Sequence, residues 1–186
     1  MTQIHNVLLT QKGISTKYWD VIQVILASCF IGLCAQINIP LYFTPVPFTG
    51  QAFGVMLIGA LLGRRKGTLA ALFYLIQGGL GYPVFAGGAS GFHCFLGPTG
   101  GYLLSYPLEA YLFGFLFERK KDHPLVKTMA AILIAYVQLA IGSIWLIPFL
   151  GIKSILPMGF YPFVFVDAAK AAVICLIIKS KNGVCA

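Results

Sequence analysis

The 186-residue chain is 59% hydrophobic and only 10% charged, with a mean hydropathy of +0.87, whereas ordinary globular domains carry about 25% charged residues. That composition excludes a water-soluble fold and leaves no room for a separate soluble domain. It predicts an all-α polytopic membrane protein, 1–186, built as a compact helical bundle. The net charge of +8 sits in short basic loops and tails, which reads as topology signals beside anionic lipid and not as a nucleic-acid footprint.

In chain order, residues 1–17 lack the apolar core and small-residue cleavage site of a secretory signal, so they read as a cytoplasmic tail. The first apolar stretch, 19–37, then targets the membrane. Within it Ala27, Ser28, Gly32 and Ala35 put small side chains at three- and four-residue spacing, allowing close approach of another helix. Ile31 interrupts a strict series of alanines. This face serves either a partner or packing inside the monomer.

The connection that follows, NIPLYFTPVPFTGQ (38–51), has Pro40, Pro45 and Pro47 fixing φ and removing backbone donors, which predicts a stiff, non-helical hairpin. Gln51 at its end bonds either a ligand or the loop backbone. Two short glycine-rich spans, 48–63 and 67–79, flank Arg64, Arg65 and Lys66. Gln77, near the end of the second, is either a ligand-facing amide or a polar helix terminus.

Residues 80–100, LGYPVFAGGASGFHCFLGPTG, make a connection longer than unstructured loops in compact domains usually are. Its Tyr82, Val84, Phe85, Phe92 and Phe95 are too apolar for a free tether, so a lid folded back over a cavity is expected. Gly87, Gly88 and Gly91 permit close backbone approach to a ligand. Together with Ser90, Thr99 and Tyr102 they either bond and wall a ligand or stabilise the turn. The span 101–117 carries Glu109 at its middle, which neutralises Lys170, faces a polar partner or touches a ligand.

After a fifth span, 126–149, the last one, 161–178, retains Asp167 and Lys170. Each charge costs about 2.5–3.5 kcal/mol at a helix centre, so such groups face a partner, a cavity or a ligand. Three residues apart, they share one helix face. The six stretches together predict about six transmembrane helices, with residues 18–178 forming the bundle and 179–186 a second cytoplasmic tail. Lys12, Lys17, Arg64, Arg65, Lys66, Arg119, Lys120, Lys121, Lys127, Lys179 and Lys181 fall on one side and only Lys153 on the other, so both termini are expected in the cytoplasm. The five cysteines, Cys29, Cys34, Cys94, Cys175 and Cys185, show no paired spacing and read as buried thiols. His5, His93 and His123 are scattered, and neither a metal nor a cofactor is expected.

Four strings in order, PVPFTGQAFGVMLIGALLG (45–63), GLGYPVFAGGASG (79–91), LGPTGGYLLSYPL (96–108) and PFVFVDAAKAA (162–172), resemble the BioY family. Its members are the membrane-embedded, substrate-binding S components of energy-coupling factor transporters. The resemblance implies a cell-membrane protein that captures biotin outside and passes it inward with a transmembrane coupling protein and two ATPase subunits. It also implies that Asp167 and Lys170 line the ligand site; from their chemistry Asp167 is expected to accept from a ureido N–H, and Lys170 to donate to a ligand oxygen or hold Asp167 ionised. The coupling protein is implied to dock on the small-residue face of the first span: Ala27, Ser28, Ile31, Gly32 and Ala35.

Two readings compete. No GxxxxGK[ST] motif is present, so ATP-driven energy has to come from partners, and a solo facilitator or proton-linked carrier of biotin or another small vitamin is the alternative. The string GASG (88–91) is also what an intramembrane serine protease presents. That chemistry needs a histidine as base for Ser90. None occurs after His123, and His93 has no evident orienting carboxylate, so no enzyme is expected.

Overall fold

The computed structural model describes residues 2–119 and 123–184, with side chains over 18–119 and 123–180. Lys120, Lys121 and Cys185 lie outside the described residues, as do the side chains of His5, Lys12, Lys17 and Lys181. The long helices are α1 (Thr2–Ala35), α2 (Gln51–Gly79), α4 (Gly100–Glu118), α5 (Pro124–Trp145) and α7 (Tyr161–Val184), with one-turn helices α3 (His93–Leu96) and α6 (Ile147–Leu150) between them. Among the described residues the sole extended pairing is the two-residue antiparallel ladder of β1 (Asn38–Ile39) and β2 (Phe48–Thr49), which pairs Asn38 with Thr49. The all-α reading holds, and the ladder is what the proline-rich hairpin makes of its backbone donors.

Helix α2 contains the second and third expected spans. It turns back on itself at Gly63, whose φ of +79° and ψ of 174° are open to glycine and strained for other residues. A Cβ on Gly67 would lie 2.8 Å from the Gly59 Cα, whereas eight residues of straight helix span roughly 12 Å. The two arms, 51–62 and 64–79, are thus joined with almost no loop. Glu118 secures the turn from α4 by accepting from the Arg64 N–H at 2.9 Å and pairing with Arg64 Nε at 3.3 Å.

Small residues set the closeness of this packing. A Cβ on Gly59 would come within 2.5 Å of the Ala110 carbonyl, and one on Gly114 within 2.2 Å of the Arg64 nitrogen, so α2 and α4 meet nearly backbone to backbone. α1 packs on α2, α4 lies between α2 and α5, and α7 closes the bundle against α5 and α2. The main core includes Ile31, Val55, Met56, Tyr74, Phe113 and Ile174. A smaller cluster of Val46, Tyr102, Leu139, Leu146 and Phe163 lies toward the lid.

The exterior is apolar. Leu33 is 70% exposed, Phe165 84% and Leu176 65%, while Asp167 and Glu109 are buried. This inversion of the water-soluble pattern is that of a chain solvated by lipid. Tyr18–Ala35, Pro124–Trp145 and Leu156–Ser180 are long and apolar enough to cross a bilayer. The protein is an integral membrane protein.

Some boundaries differ from the sequence expectation. The helix of the first span begins at Thr2, with no proline in 1–17 to interrupt it. The fifth span stops at Trp145, because Pro148 cannot continue the helical hydrogen bonding and instead sits in the first turn of α6. A π-helical turn, Leu156–Phe160, leads into α7. The expectation of uniformly buried thiols is corrected as well: Cys29 is exposed on α1, and Cys34, Cys94 and Cys175 are half-buried, all of them free. A thiol is apolar enough to face lipid.

Candidate functional site

The hairpin 38–51, the connection 80–100 and the lid-end turns of α4, α5 and α7 enclose a cavity of about 270 Å³. Phe85 is the lid's principal plug, 2% exposed. Its ring packs edge-on against Tyr74 at 5.5 Å and Phe95 at 5.6 Å between centroids. It fits because Gly78 has no side chain: a Cβ there would fall 2.0 Å from the Phe85 ring. The lid is tied down further by the Gly91 N–H donating to the Gly78 carbonyl at 2.7 Å.

Asp167 and Lys170 both line this cavity from α7. Lys170 Nζ donates to Asp167 Oδ1 at 2.8 Å and to the Thr49 carbonyl at 3.1 Å. The short β1–β2 ladder holds that carbonyl in place, so the hairpin orients the cation. Asp167 is 4% exposed. One of its oxygens is engaged by Lys170, and the pair presents both a donor and an acceptor to the cavity.

Gln51 lies at the floor, 4% exposed. Its Oε1 accepts from Thr49 Oγ1 at 3.2 Å and from the Tyr106 hydroxyl at 3.4 Å, and its Nε2 donates to the Tyr74 hydroxyl. Tyr74 in turn donates to the Val84 carbonyl of the lid at 3.1 Å. A continuous chain of hydrogen bonds therefore links the floor to the lid.

Thr99 and Tyr102 also line the cavity. The Tyr102 hydroxyl donates to the Gly159 carbonyl at 2.8 Å, fixing the ring as a wall. The structure does not bring the other sequence candidates to the cavity wall. Tyr82 is 62% exposed on the outer surface of the lid. Gly87 and Gly88 shape the turn with φ of +64° and +76°, while the neighbouring Ala86 and Ala89 provide the lining. Ser90 uses its carbonyl to accept from Cys94 Sγ at 3.4 Å. Gln77 lies outside the cavity near the end of α2, its Oε1 buried without a partner among the described residues.

Among the lining residues that sequence reasoning missed are Asn38, Tyr106, Gln138 and Phe163. Asn38 Oδ1 is buried at the cavity edge and has no hydrogen-bond partner among the described residues. Gln138 Nε2 donates to Ser105 Oγ at 3.2 Å. Gln138 was open to detection, since an amide in the middle of an apolar span carries the same signal, more weakly, as Asp167. Asn38, at a loop start, and the two aromatic residues, among many others, carried no distinguishing mark.

The small-residue face of α1 is turned inward in the isolated chain. Ser28, Ile31 and Ala35 have no exposed surface, Ala27 has 4%, and Gly32 is buried against Val84 of the lid. Gly54 of α2 meets Ile31 and Cys34. Internal packing takes up this face, because the arm 51–62 and the lid need the close approach that small residues allow.

An apolar-surfaced helical bundle whose buried ion pair opens into a small lidded cavity has the build of a membrane-embedded small-molecule binder. The sequence pattern of the BioY family matches residues 8–184, and the chain belongs to that family. It is 38% identical over 164 residues to a probable biotin transporter BioY of Pyrococcus horikoshii, covering 87% of this chain and 96% of that one. It is 40% identical over 161 residues to the biotin transporter BioY of Thermotoga maritima, covering 83% and 92%. The fold matches the crystal structure of the S-component for biotin from an ECF-type ABC transporter with a TM-score of 0.82 and 26% identity, over 91% of this chain and 93% of that one. The family is one of transporters and not of enzymes.

Proposed function

We propose that this chain is a biotin-uptake protein that binds biotin in the lidded cavity and releases it to the other side of the membrane. The observation that carries this reading is the Asp167–Lys170 pair opening into a cavity of about 270 Å³, close to the lower end of the roughly 300–1,000 Å³ range for small-molecule pockets. Biotin has ureido N–H donors, a ureido carbonyl, an apolar thioether ring and a carboxylate. Asp167 suits a ureido N–H, and Lys170 suits a ligand oxygen. The unpartnered Asn38 Oδ1 is a further acceptor for a ligand N–H. Phe85, Tyr102, Tyr106 and Phe163 supply apolar walls.

The whole chain acts as one integral membrane unit in the cell membrane, with the lid facing outward and both termini in the cytoplasm. Energy comes from a transmembrane coupling protein and two ATPases, in keeping with the similar solved structure's description as the S-component for biotin from an ECF-type ABC transporter. Equilibrium binding of labelled biotin to the purified chain in nanodiscs, without partners, tests the reading, with desthiobiotin and unrelated vitamins as competitors. Selective binding is expected. Asp167→Asn and Lys170→Ala are each expected to weaken it roughly ten- to a hundredfold, the worth of a charge-assisted hydrogen bond of about 1.5–3 kcal/mol. Normal binding by both folded variants would remove the pair from the site, and absence of binding by the folded parent would remove biotin as the ligand.

A further inference from the structure

We infer that the end of the bundle remote from the lid carries a binding site for an anionic phospholipid, set between α5 and α7 where α4 ends. A separate cavity of about 300 Å³ opens there, with apolar walls that include Phe117, Leu125 and Leu176 and a polar rim of Lys127, Thr128 and Lys179. It shares no residue with the lidded cavity. Leu125 and Leu176 are 69% and 65% exposed, so this slot opens onto the lipid-facing exterior.

The charges at this end are unevenly matched. Arg64 pairs with Glu118, and Lys66 with Asp20. Neither Lys127 nor Lys179 joins an ion pair among the described residues. Lys127 Nζ lies 6.0 Å from the centroid of the Phe117 ring, and both residues line the slot. The Thr128 hydroxyl already donates to the Pro124 carbonyl at 3.1 Å, so recognition falls to the two lysines.

Two ammonium groups with no ion pair among the described residues, beside an exposed apolar slot, match a molecule with a negative headgroup and an acyl chain. A zwitterionic lipid would bring its own cation against the lysines. Inorganic phosphate would satisfy the charge and leave the apolar wall without a partner. An anionic phospholipid meets both requirements, and basic pockets between transmembrane helices bind such headgroups in general.

Native mass spectrometry of the full chain, purified with a mixture of phosphatidylglycerol and phosphatidylcholine, tests this. Retention of one phosphatidylglycerol, favoured over phosphatidylcholine by about tenfold or more, is expected from two lysines at the membrane surface. Lys127→Gln with Lys179→Gln should abolish the preference, the corresponding double arginine variant should keep it, and Lys153→Gln at the lid end should leave it unchanged. Leu176→Trp, which fills the slot without touching the charges, should lower retention and serves if the double glutamine variant fails to fold. Equal retention of the two lipids, a preference untouched by the double glutamine variant, undiminished retention by Leu176→Trp, or displacement of the lipid by inorganic phosphate alone would overturn the proposal.

Discussion

Glu109 lies halfway along α4, 1% exposed, and neither of its carboxyl oxygens has a hydrogen-bond partner among the described residues. Asp167, by contrast, has Lys170 at 2.8 Å. A buried polar group left unsatisfied costs about 1–3 kcal/mol, so Glu109 is a liability to the fold as it stands. Glu109→Met keeps the length of the side chain and removes both oxygens. It is expected to leave stability unchanged or raise it by roughly 1–3 kcal/mol in thermal unfolding of the detergent-solubilised protein. A loss of more than about 1 kcal/mol would show that the carboxyl is held by something in the native protein. At this scale, residues that are costly in a membrane were legible: Asp167, Lys170 and Glu109 stand out because apolar surroundings make each charge conspicuous. Asn38 was not, because an asparagine opening a loop is ordinary and its place at the cavity edge depends on β1 pairing with β2.

Among the elements, the lid and the α2 hairpin separate what a chain announces locally from what it settles by packing. The length and aromatic content of 80–100 announced a folded lid, and the basic triplet between two short spans announced a turn. The fit of Phe85 into the gap at Gly78 and the approach of Gly59 to Gly67 depend on segments brought together by the fold. Composition does not distinguish those glycines from their neighbours. Gly78→Val would place methyl groups where the Phe85 ring now lies. Phe85 is then expected to lift away, biotin binding to weaken by at least about tenfold, and Cys94, which lines the cavity, to react faster with a maleimide. The rate should be measured with the other cysteines replaced by serine. An unchanged labelling rate would show that the lid holds by its other contacts.

For the molecule as a whole, distribution governs. Apolar side chains cover the outside, ion pairs such as Arg64–Glu118 and Lys66–Asp20 gather at one end, and the lid closes the other. Since basic loops remain cytoplasmic, Lys153→Cys is expected to label with a membrane-impermeant reagent in intact cells and Arg65→Cys only after permeabilisation. Both positions are exposed, so the reverse pattern would invert the orientation. The bundle as such was legible from hydropathy, because span length is set by the bilayer. Which face of α1 turned inward was not, because small residues permit close packing without specifying against what.

The hydrogen-bond chain from Gln51 through Tyr74 to Val84 bears on time as well as affinity. Opening the lid has to break the Tyr74–Val84 bond whether a ligand is entering or leaving, so the bond adds to the barrier in both directions and cancels in their ratio. Tyr74→Phe should therefore speed association and dissociation of biotin by similar factors, several-fold for a bond worth about 1 kcal/mol, with a smaller change in Kd. Stopped-flow exchange would show this, and a change confined to the dissociation rate would place the hydroxyl's effect in the bound state instead. The residence time of the ligand is then a property of the lid, adjustable by one oxygen atom, and an equilibrium constant alone does not say how soon a captured molecule can move on.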